Sequence, residues 1–221
     1  MRLFRVRGVY APQADTWLLR EAVRQAAIPA GASVLDIGSG SGALSVAAAR
    51  AGAAEVLAAD VSWRAVFTTW LNAAVRGLPV RVRRGDVHDV VAGRRFDVIM
   101  ANPPYVPCAR AEIPKRGRER AWDAGIDGRA LLDRVTTLAP TLLTPGGTIL
   151  IVHSGLCGVE QTLRQLRRGG LKAAVVARQF EPFGPVMRGR VGFLEQRGLI
   201  EKGQRHEELV VIRGDRTERA A

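Results

Sequence analysis

Residues 33–42, with the sequence SVLDIGSGSG, decide the fold of this chain. Ser33–Ile37 is short and apolar, as expected of a strand that is buried on both faces. It runs directly into a glycine-rich turn, and the Ala-rich residues 43–51 predict a helix after that turn. Glycine adopts positive φ and lets a ligand approach the backbone closely. This strand–turn–helix unit therefore predicts an α/β domain with a ligand site at the turn.

Strands and helices alternate on both sides of this unit. Such alternation predicts a parallel sheet with helices on both faces, and ligands bind such sheets outside the carboxyl ends of the strands. The predicted helices cover residues 14–27, 43–51, 63–76, 128–143 and 160–167. The predicted strands cover residues 33–37, 56–59, 79–83, 96–101, 148–153, 173–177 and 208–213. Trp63 and Trp70 lie about two helical turns apart, which favours a core position for both.

The length of 221 residues fits a single domain over residues 1–221, with residues 1–28 as a helical lead-in. Residues 180–204 form a long connection before the last strand, which is either an edge hairpin or a substrate lid. The chain has no apolar run of about 18 residues and no signal-peptide core, so we expect a cytoplasmic protein without a membrane partner. Scattered histidines and two separate cysteines predict no metal site.

The charge of the chain is strongly basic. Lys and Arg number 33 against 21 Asp and Glu, a net charge of +12. This balance favours a polyanionic partner such as RNA, DNA or a ribosome, and residues 109–120 carry part of it. Only three of the basic residues are lysines, so coding composition explains the bias equally well.

Three acidic residues, Asp36, Asp60 and Asp86, end three successive predicted strands. The third glycine of the turn comes one residue earlier than in the dinucleotide fingerprint, which favours S-adenosylmethionine, a cofactor without a pyrophosphate. Asp36 would then face a cationic ligand, Asp60 would accept from ribose hydroxyls, and Asp86 would reach an adenine amino group beside Val87. For each acid alone, ordinary turn chemistry is the alternative.

The sequence Asn102-Pro103-Pro104-Tyr105 follows the next predicted strand. The two prolines stiffen the turn and hold the Asn102 side-chain oxygen and the Pro103 carbonyl as a pair of acceptors. This pair can take both hydrogens of a planar NH2 group while Tyr105 stacks on its plane. These acceptors strengthen as positive charge develops on the nitrogen, which is the help that N-methylation of an amide needs.

Together these motifs resemble the class I S-adenosylmethionine-dependent methyltransferases, and more narrowly the HemK-type protein glutamine N5-methyltransferases without the N-terminal helical domain. The sequences VYAPQADT (9–16) and AWDAGIDGR (121–129) are similar to further motifs of that branch. Ala11 stands where the family has Glu. The resemblance implies a Rossmann-like, seven-stranded, mostly parallel sheet with an antiparallel last strand.

The resemblance also implies roles for individual residues and partners. The acceptor is a glutamine of a peptide-chain release factor or a similar protein, and a small activator protein is a further partner in part of the branch. The implied acceptor-site residues, of which Asn102, Pro103 and Tyr105 are the catalytic ones, are Asn102, Pro103, Pro104 and Tyr105. The implied cofactor-binding residues are Asp15, Thr16, Asp36, Gly38, Ser39, Gly40, Gly42, Asp60, Val61, Asp86, Val87 and Asn102.

Three other functions stay open from the residues. The first is methylation of an exocyclic base amine in RNA or DNA, because those amines are also planar NH2 groups. The second is methylation of a small molecule or peptide in a biosynthetic pathway. The third is a non-catalytic cofactor-binding subunit, against which the intact Asn102–Tyr105 corner argues.

Overall fold

A computed structural model describes residues 3–110, 114 and 117–218 of the chain. The strands are β1 (Ser33–Ile37), β2 (Glu55–Asp60), β3 (Val80–Arg84), β4 (Phe96–Ala101), β5 (Leu143–Ser154), β6 (Leu171–Pro182) and β7 (His206–Arg216). Within the described ranges they form one seven-stranded sheet in the order β3-β2-β1-β4-β5-β7-β6. The first five strands pair in parallel, and β7 runs antiparallel to both β5 and β6. The predicted Rossmann-like sheet is therefore confirmed.

The helices cover both faces of this sheet. They are α1 (Ala14–Gln25), α2 (Ala43–Arg50), α3 (Trp63–Ala74), α4 (Val87–Val91), α5 (Ala130–Leu142), α6 (Val159–Arg168), α7 (Pro185–Arg188) and α8 (Val191–Gln196). One core lies between the sheet and the α5–α6 side, and a second lies between the sheet and the α1–α2 side. No helix in the described part of the chain is long and apolar enough to cross a bilayer.

The prediction that Trp63 and Trp70 belong to the core is wrong, since more than half of each side chain is exposed. The buried face of α3 carries small and polar residues instead, among them Thr69 and Asn72. Asn72 donates to the Ser41 carbonyl at 3.0 Å, so α3 packs directly on the glycine turn. Indole rings would hold the helix too far from the turn for these contacts, and they therefore lie on the outer face.

The connection over residues 180–204 contains the end of β6 and the helices α7 and α8, and it links the antiparallel neighbours β6 and β7. Phe183, Met187, Leu194 and Ile200 of this connection pack with Val106 in a third small core. The Arg190 guanidinium pairs with the Asp123 carboxylate and donates to the Pro107 carbonyl at 3.0 Å. The connection is thus attached to the segment that follows the Asn-Pro-Pro-Tyr corner, while its role as a lid stays a prediction.

Candidate active site

A cavity of about 1290 Å³ opens at the carboxyl ends of the parallel strands. Its walls come from the glycine turn, the ends of β2 and β4, the start of α1 and the connection over residues 180–204. Ligand pockets commonly measure about 300–1000 Å³. The cavity is therefore large enough for a nucleoside-sized cofactor together with the side chain of an acceptor.

The glycine turn presents its backbone to this cavity. Gly38 and Gly40 both have positive φ, and a β-carbon at either position would meet only one backbone oxygen at 3.8 Å. The amides of Gly38 and Ser39 donate to the Ala59 carbonyl at 2.9 and 3.1 Å, which ties the turn to the end of β2. The turn thus leaves open space against its backbone where a ligand can approach.

Gly42 does not line the cavity, and its predicted contact with the cofactor stays a prediction. It precedes α2 with a φ of 78°, and a β-carbon there would lie 3.0 Å from the Thr69 side chain. The glycine therefore permits α3 to approach the turn.

Asp60 lies at the end of β2 and holds the turn in place. Its two carboxylate oxygens accept from the amides of Gly40 at 3.0 Å and Ser62 at 2.8 Å. Burial raises the pKa of the Asp60 carboxyl, and these amides oppose that shift. Asp60 and Val61 both line the cavity. Each carboxylate oxygen keeps a second lone pair, so Asp60 can still accept from ligand hydroxyls.

Asp36 lies behind the turn and does not line the cavity. Its side chain is fully buried and accepts from the Ser45 hydroxyl of α2, while Oδ1 has no partner among the described residues. Burial raises the pKa of Asp36 to about 6. Its predicted contact with the cofactor stays a prediction, because the unpartnered oxygen is itself buried.

Asp86 and Val87 line the cavity beyond β3. The Asp86 carboxylate begins α4 by accepting from the His88 amide, and it also accepts from the Arg134 guanidinium at 2.7 Å. Arg134, on α5, was not predicted from the sequence. Because of this contact, the Asp86 carboxylate is already paired with the Arg134 guanidinium before any ligand binds.

The Asn-Pro-Pro-Tyr corner forms another part of the cavity wall. The Asn102 amide donates to the Thr16 hydroxyl at 3.3 Å, and the Tyr105 hydroxyl donates to the Asp15 carboxylate at 3.1 Å. The Tyr10 hydroxyl donates to the same carboxylate oxygen at 2.9 Å. The structure thus brings the opening motif against the corner across more than 80 residues of sequence.

The back of the corner is held by backbone contacts. The amide of Val106 donates to the Trp122 carbonyl at 2.8 Å, and the Cys157 thiol donates to the Tyr105 carbonyl at 3.0 Å. Gly128 approaches the Tyr105 carbonyl so closely that a β-carbon would overlap it. These contacts make the AWDAGIDGR segment a support for the corner.

Sequence reasoning missed further residues of the cavity, among them Tyr10 and Glu207. Glu207 is the second residue of β7 and is nine-tenths buried, and its Oε2 has no partner in the described part of the chain. Burial raises the pKa of its carboxyl. No local signal marks Glu207, because only the β6–β7 pairing brings it to the cavity.

Arginines surround the cavity. Those that line it are Arg5, Arg64, Arg84, Arg118, Arg120 and Arg134. The predicted basic segment 109–120 therefore contributes Arg118 and Arg120, whereas Lys115 and Arg116 lie outside the described residues.

Comparison with known proteins agrees with this geometry. Residues 7–113 match the family described as the methyltransferase small domain. A Methanocaldococcus jannaschii protein named as a protein N5-glutamine methyltransferase is 34% identical over 81% of this chain and 89% of its own length. The release factor glutamine methyltransferase of Geobacter sulfurreducens is 34% identical over 84% of this chain and 66% of its own.

A solved structure has the same fold. It is the E. cuniculi Mtq2-Trm112 complex, responsible for methylation of the translation termination factor eRF1. The matched chain is 20% identical with a TM-score of 0.64, over 95% of this chain and 99% of that one.

Proposed function

The chain belongs to the protein N5-glutamine methyltransferases of the HemK family, and on that premise we propose that it methylates a release-factor glutamine. The observation that carries the proposal is the Asn102–Tyr105 corner, which lines the same cavity as the glycine turn. A planar amide that enters beside Tyr105 therefore comes next to the cofactor-binding side of the cavity.

The residues on the cofactor side fit S-adenosylmethionine. Gly38 and Gly40 leave the space that a β-carbon would fill, and Asp60 offers free lone pairs at the end of β2. When bound, S-adenosylmethionine supplies an electrophilic methyl group on a sulfonium sulfur. We assign its binding to Gly38, Ser39, Gly40, Asp60, Val61, Asp86 and Val87, with Asp36 and Gly42 shaping the turn from behind.

The acceptor side is a set of hydrogen-bond acceptors on a rigid corner. The Asn102 Oδ1 and the Pro103 carbonyl accept the two hydrogens of the glutamine NH2 group, and Tyr105 and Pro104 confine its plane. These acceptors would stabilise the positive charge that develops on nitrogen as the N–C bond forms and the methyl–sulfur bond of the sulfonium breaks, with the electron pair of that bond staying on sulfur as a neutral thioether. One of the two N–H protons then leaves to water, because a methylated amide cation is strongly acidic.

The cavity arginines and the related complex both suggest partners for the enzyme. The arginines around the cavity would attract RNA that lies beside a protein acceptor on the ribosome, and we expect the reaction in the cytoplasm. Because the E. cuniculi relative is a complex with Trm112, we propose that a small activator protein also assists this chain.

Transfer of a labelled methyl group into defined acceptors tests the function. The family resemblance implies that the acceptor glutamine of a release factor lies in a Gly-Gly-Gln sequence. A release factor with this sequence should accept label, and the same protein with that Gln replaced by Glu should not. Asn102→Ala should lower the rate by about 10²–10³ while the Kd for S-adenosylmethionine changes by less than about tenfold. Total RNA and small-molecule fractions serve as competing acceptors, and label in RNA alone would refute the proposal.

A further inference from the structure

We propose that Asp15 is a positioning residue that sets, through Thr16, which end of the Asn102 side-chain amide, Oδ1 or Nδ2, is turned to the acceptor. The proposal rests on the proposed function and adds to it the device that selects an amide over a carboxylate. It gives Asp15 and Thr16, expected from the sequence to contact the cofactor, a role toward the acceptor.

The three residues form a continuous chain of hydrogen bonds. The Thr16 hydroxyl donates to Asp15 Oδ1 at 3.1 Å, and the Asn102 Nδ2 donates to the Thr16 hydroxyl at 3.3 Å. Asp15 and Thr16 are both buried, at 3% and 5% exposure, so water competes little for these bonds. All three residues line the cavity.

The direction of these bonds follows from the chemistry of their ends. Four donors converge on Asp15, which are the amide and hydroxyl of Thr16 and the hydroxyls of Tyr10 and Tyr105. A carboxylate can only accept hydrogen bonds, so the Thr16 hydroxyl must use its single hydrogen to donate to Asp15. The remaining lone pairs of Thr16 can then only accept, and the group that Asn102 turns to Thr16 must be its NH2.

This fixed direction determines what the acceptor meets. With Nδ2 turned to Thr16, Oδ1 is the group of Asn102 that remains for a ligand, and it accepts from the NH2 of a glutamine. In the flipped orientation, Nδ2 would remain for the ligand and would favour the oxygen of a glutamate. Such a flip changes the shape of the side chain very little, because the two ends of an amide have nearly the same size. The buried Asp15 carboxylate excludes one of the two Asn102 orientations, and it therefore gives specificity for an amide over a carboxylate.

The other carboxylate oxygen serves the same corner. Asp15 Oδ2 accepts from the Tyr105 hydroxyl at 3.1 Å and from the Tyr10 hydroxyl at 2.9 Å. Burial raises the pKa of both tyrosines, so both hydroxyls keep the proton that they donate. The Asp15 carboxylate thus orients both the Tyr105 ring that stacks on the acceptor and the Asn102 amide that accepts from it.

Paired variants at position 16 test the proposal. Thr16→Val keeps the shape and removes the acceptor for Asn102, whereas Thr16→Ser keeps the hydroxyl. Transfer rates at saturating S-adenosylmethionine are measured together with the Kd of two release-factor peptides, Gly-Gly-Gln and Gly-Gly-Glu. Thr137→Val is the matched control, because Thr137 is an exposed threonine of α5 away from the cavity.

We expect Thr16→Val to lower the rate by about 10–100-fold and to reduce the preference for the Gln peptide over the Glu peptide at least fivefold. Thr16→Ser should restore both to within about threefold of the wild type, and Asp15→Asn, whose amide can donate to Thr16, should lose the preference as well. A Thr16→Val enzyme with the full Gln preference would overturn the positioning role. If the wild type methylates RNA and no glutamine peptide, the proposed function fails instead.

Discussion

Gly128 lies against the backbone of Tyr105 so closely that a β-carbon at position 128 would overlap the Tyr105 carbonyl oxygen. The same β-carbon would crowd the Cys157 sulfur, and Gly128 also has a φ of 74°. Glycine is therefore required at position 128 for two reasons, the positive φ and the close approach of the Tyr105 backbone.

Gly128→Ala should consequently displace the corner. We expect a loss of about 3 kcal/mol in the free energy of unfolding, from positive-φ strain of about 1–2 kcal/mol together with overpacking. Gly170→Ala is the matched control, because Gly170 has a similar φ of 83° and open space around it. Chemical denaturation and transfer rates of both variants provide the measurement. Equal losses in the two variants would mean that contact with Tyr105 is unimportant.

Arg190 attaches the connection over residues 180–204 to the corner, through Asp123 and the Pro107 carbonyl. Arg190→Ala leaves the Asp123 carboxylate, which is only 4% exposed, without its cation. We expect a loss of about 2 kcal/mol in stability and a higher KM for the protein acceptor, with the Kd of S-adenosylmethionine unchanged. Arg188→Ala, at an exposed position of α7, should leave both constants unchanged. A selective loss of cofactor affinity in Arg190→Ala would contradict this assignment.

Asp60 holds the glycine turn through two backbone amides, and an amide side chain can accept only one of them well. Asp60→Asn should raise the Kd of S-adenosylmethionine by roughly 10–100-fold, as expected for the loss of a charge-assisted hydrogen bond. Titration calorimetry measures the constant, with Asp89→Asn as an exposed control on α4. Unchanged affinity would remove Asp60 from the cofactor site.

The arginines around the cavity predict salt-dependent recognition of the acceptor. If they attract the protein substrate, its KM should rise steeply between 50 and 300 mM salt while the KM of S-adenosylmethionine stays nearly constant. Arg118→Gln should weaken the salt dependence, because Arg118 is exposed and lines the cavity. Arg168→Gln removes an exposed charge of α6 outside the cavity and should leave the salt dependence intact. A flat salt profile in the wild type would leave coding composition as the explanation of the charge.

The pKa shifts of Asp36 and His153 predict opposite effects of pH on the free energy of unfolding. Burial raises the pKa of Asp36 to about 6, so the folded protein holds this proton more tightly than the unfolded chain, and stability falls as pH rises from 4 to 6. Burial lowers the pKa of His153 to about 4, so the unfolded chain binds the proton more tightly, and stability rises over pH 4 to 6.5. The two contributions partly cancel in the wild type.

Asp36→Asn should reveal the contribution of His153. The variant keeps an acceptor for Ser45 and removes the titration, so its stability relative to the wild type should increase by about 2 kcal/mol from pH 4 to 7. His153→Gln should show the opposite trend, with relative stability falling as pH rises. Denaturant unfolding of the ligand-free protein at several pH values measures both. Parallel curves for Asp36→Asn and the wild type would show that the Asp36 carboxyl titrates normally.

Local patterns accounted for the sheet and for the ends of its strands. β1 and β4 begin and end where the apolar runs predicted, and Asp60, Asp86 and Asn102 line one cavity. The reason is that burial of both faces of a parallel strand imposes a continuous apolar run, and parallel strands place their carboxyl ends along one edge. The sequence by itself therefore determined the fold and the strand ends that bring these three residues to one cavity, while their contacts with the cofactor and the chemistry of the corner stay predictions.

Only the tertiary structure decided which distant residues complete that site. Asp15 meets Tyr105 across 90 positions, and Glu207 enters the cavity through the β6–β7 pairing. The outward position of Trp63 likewise depends on how closely α3 packs on the glycine turn. Such contacts depend on the path of the chain between the elements. Periodicity reports only which face of each element is buried, and it says nothing about what that face meets.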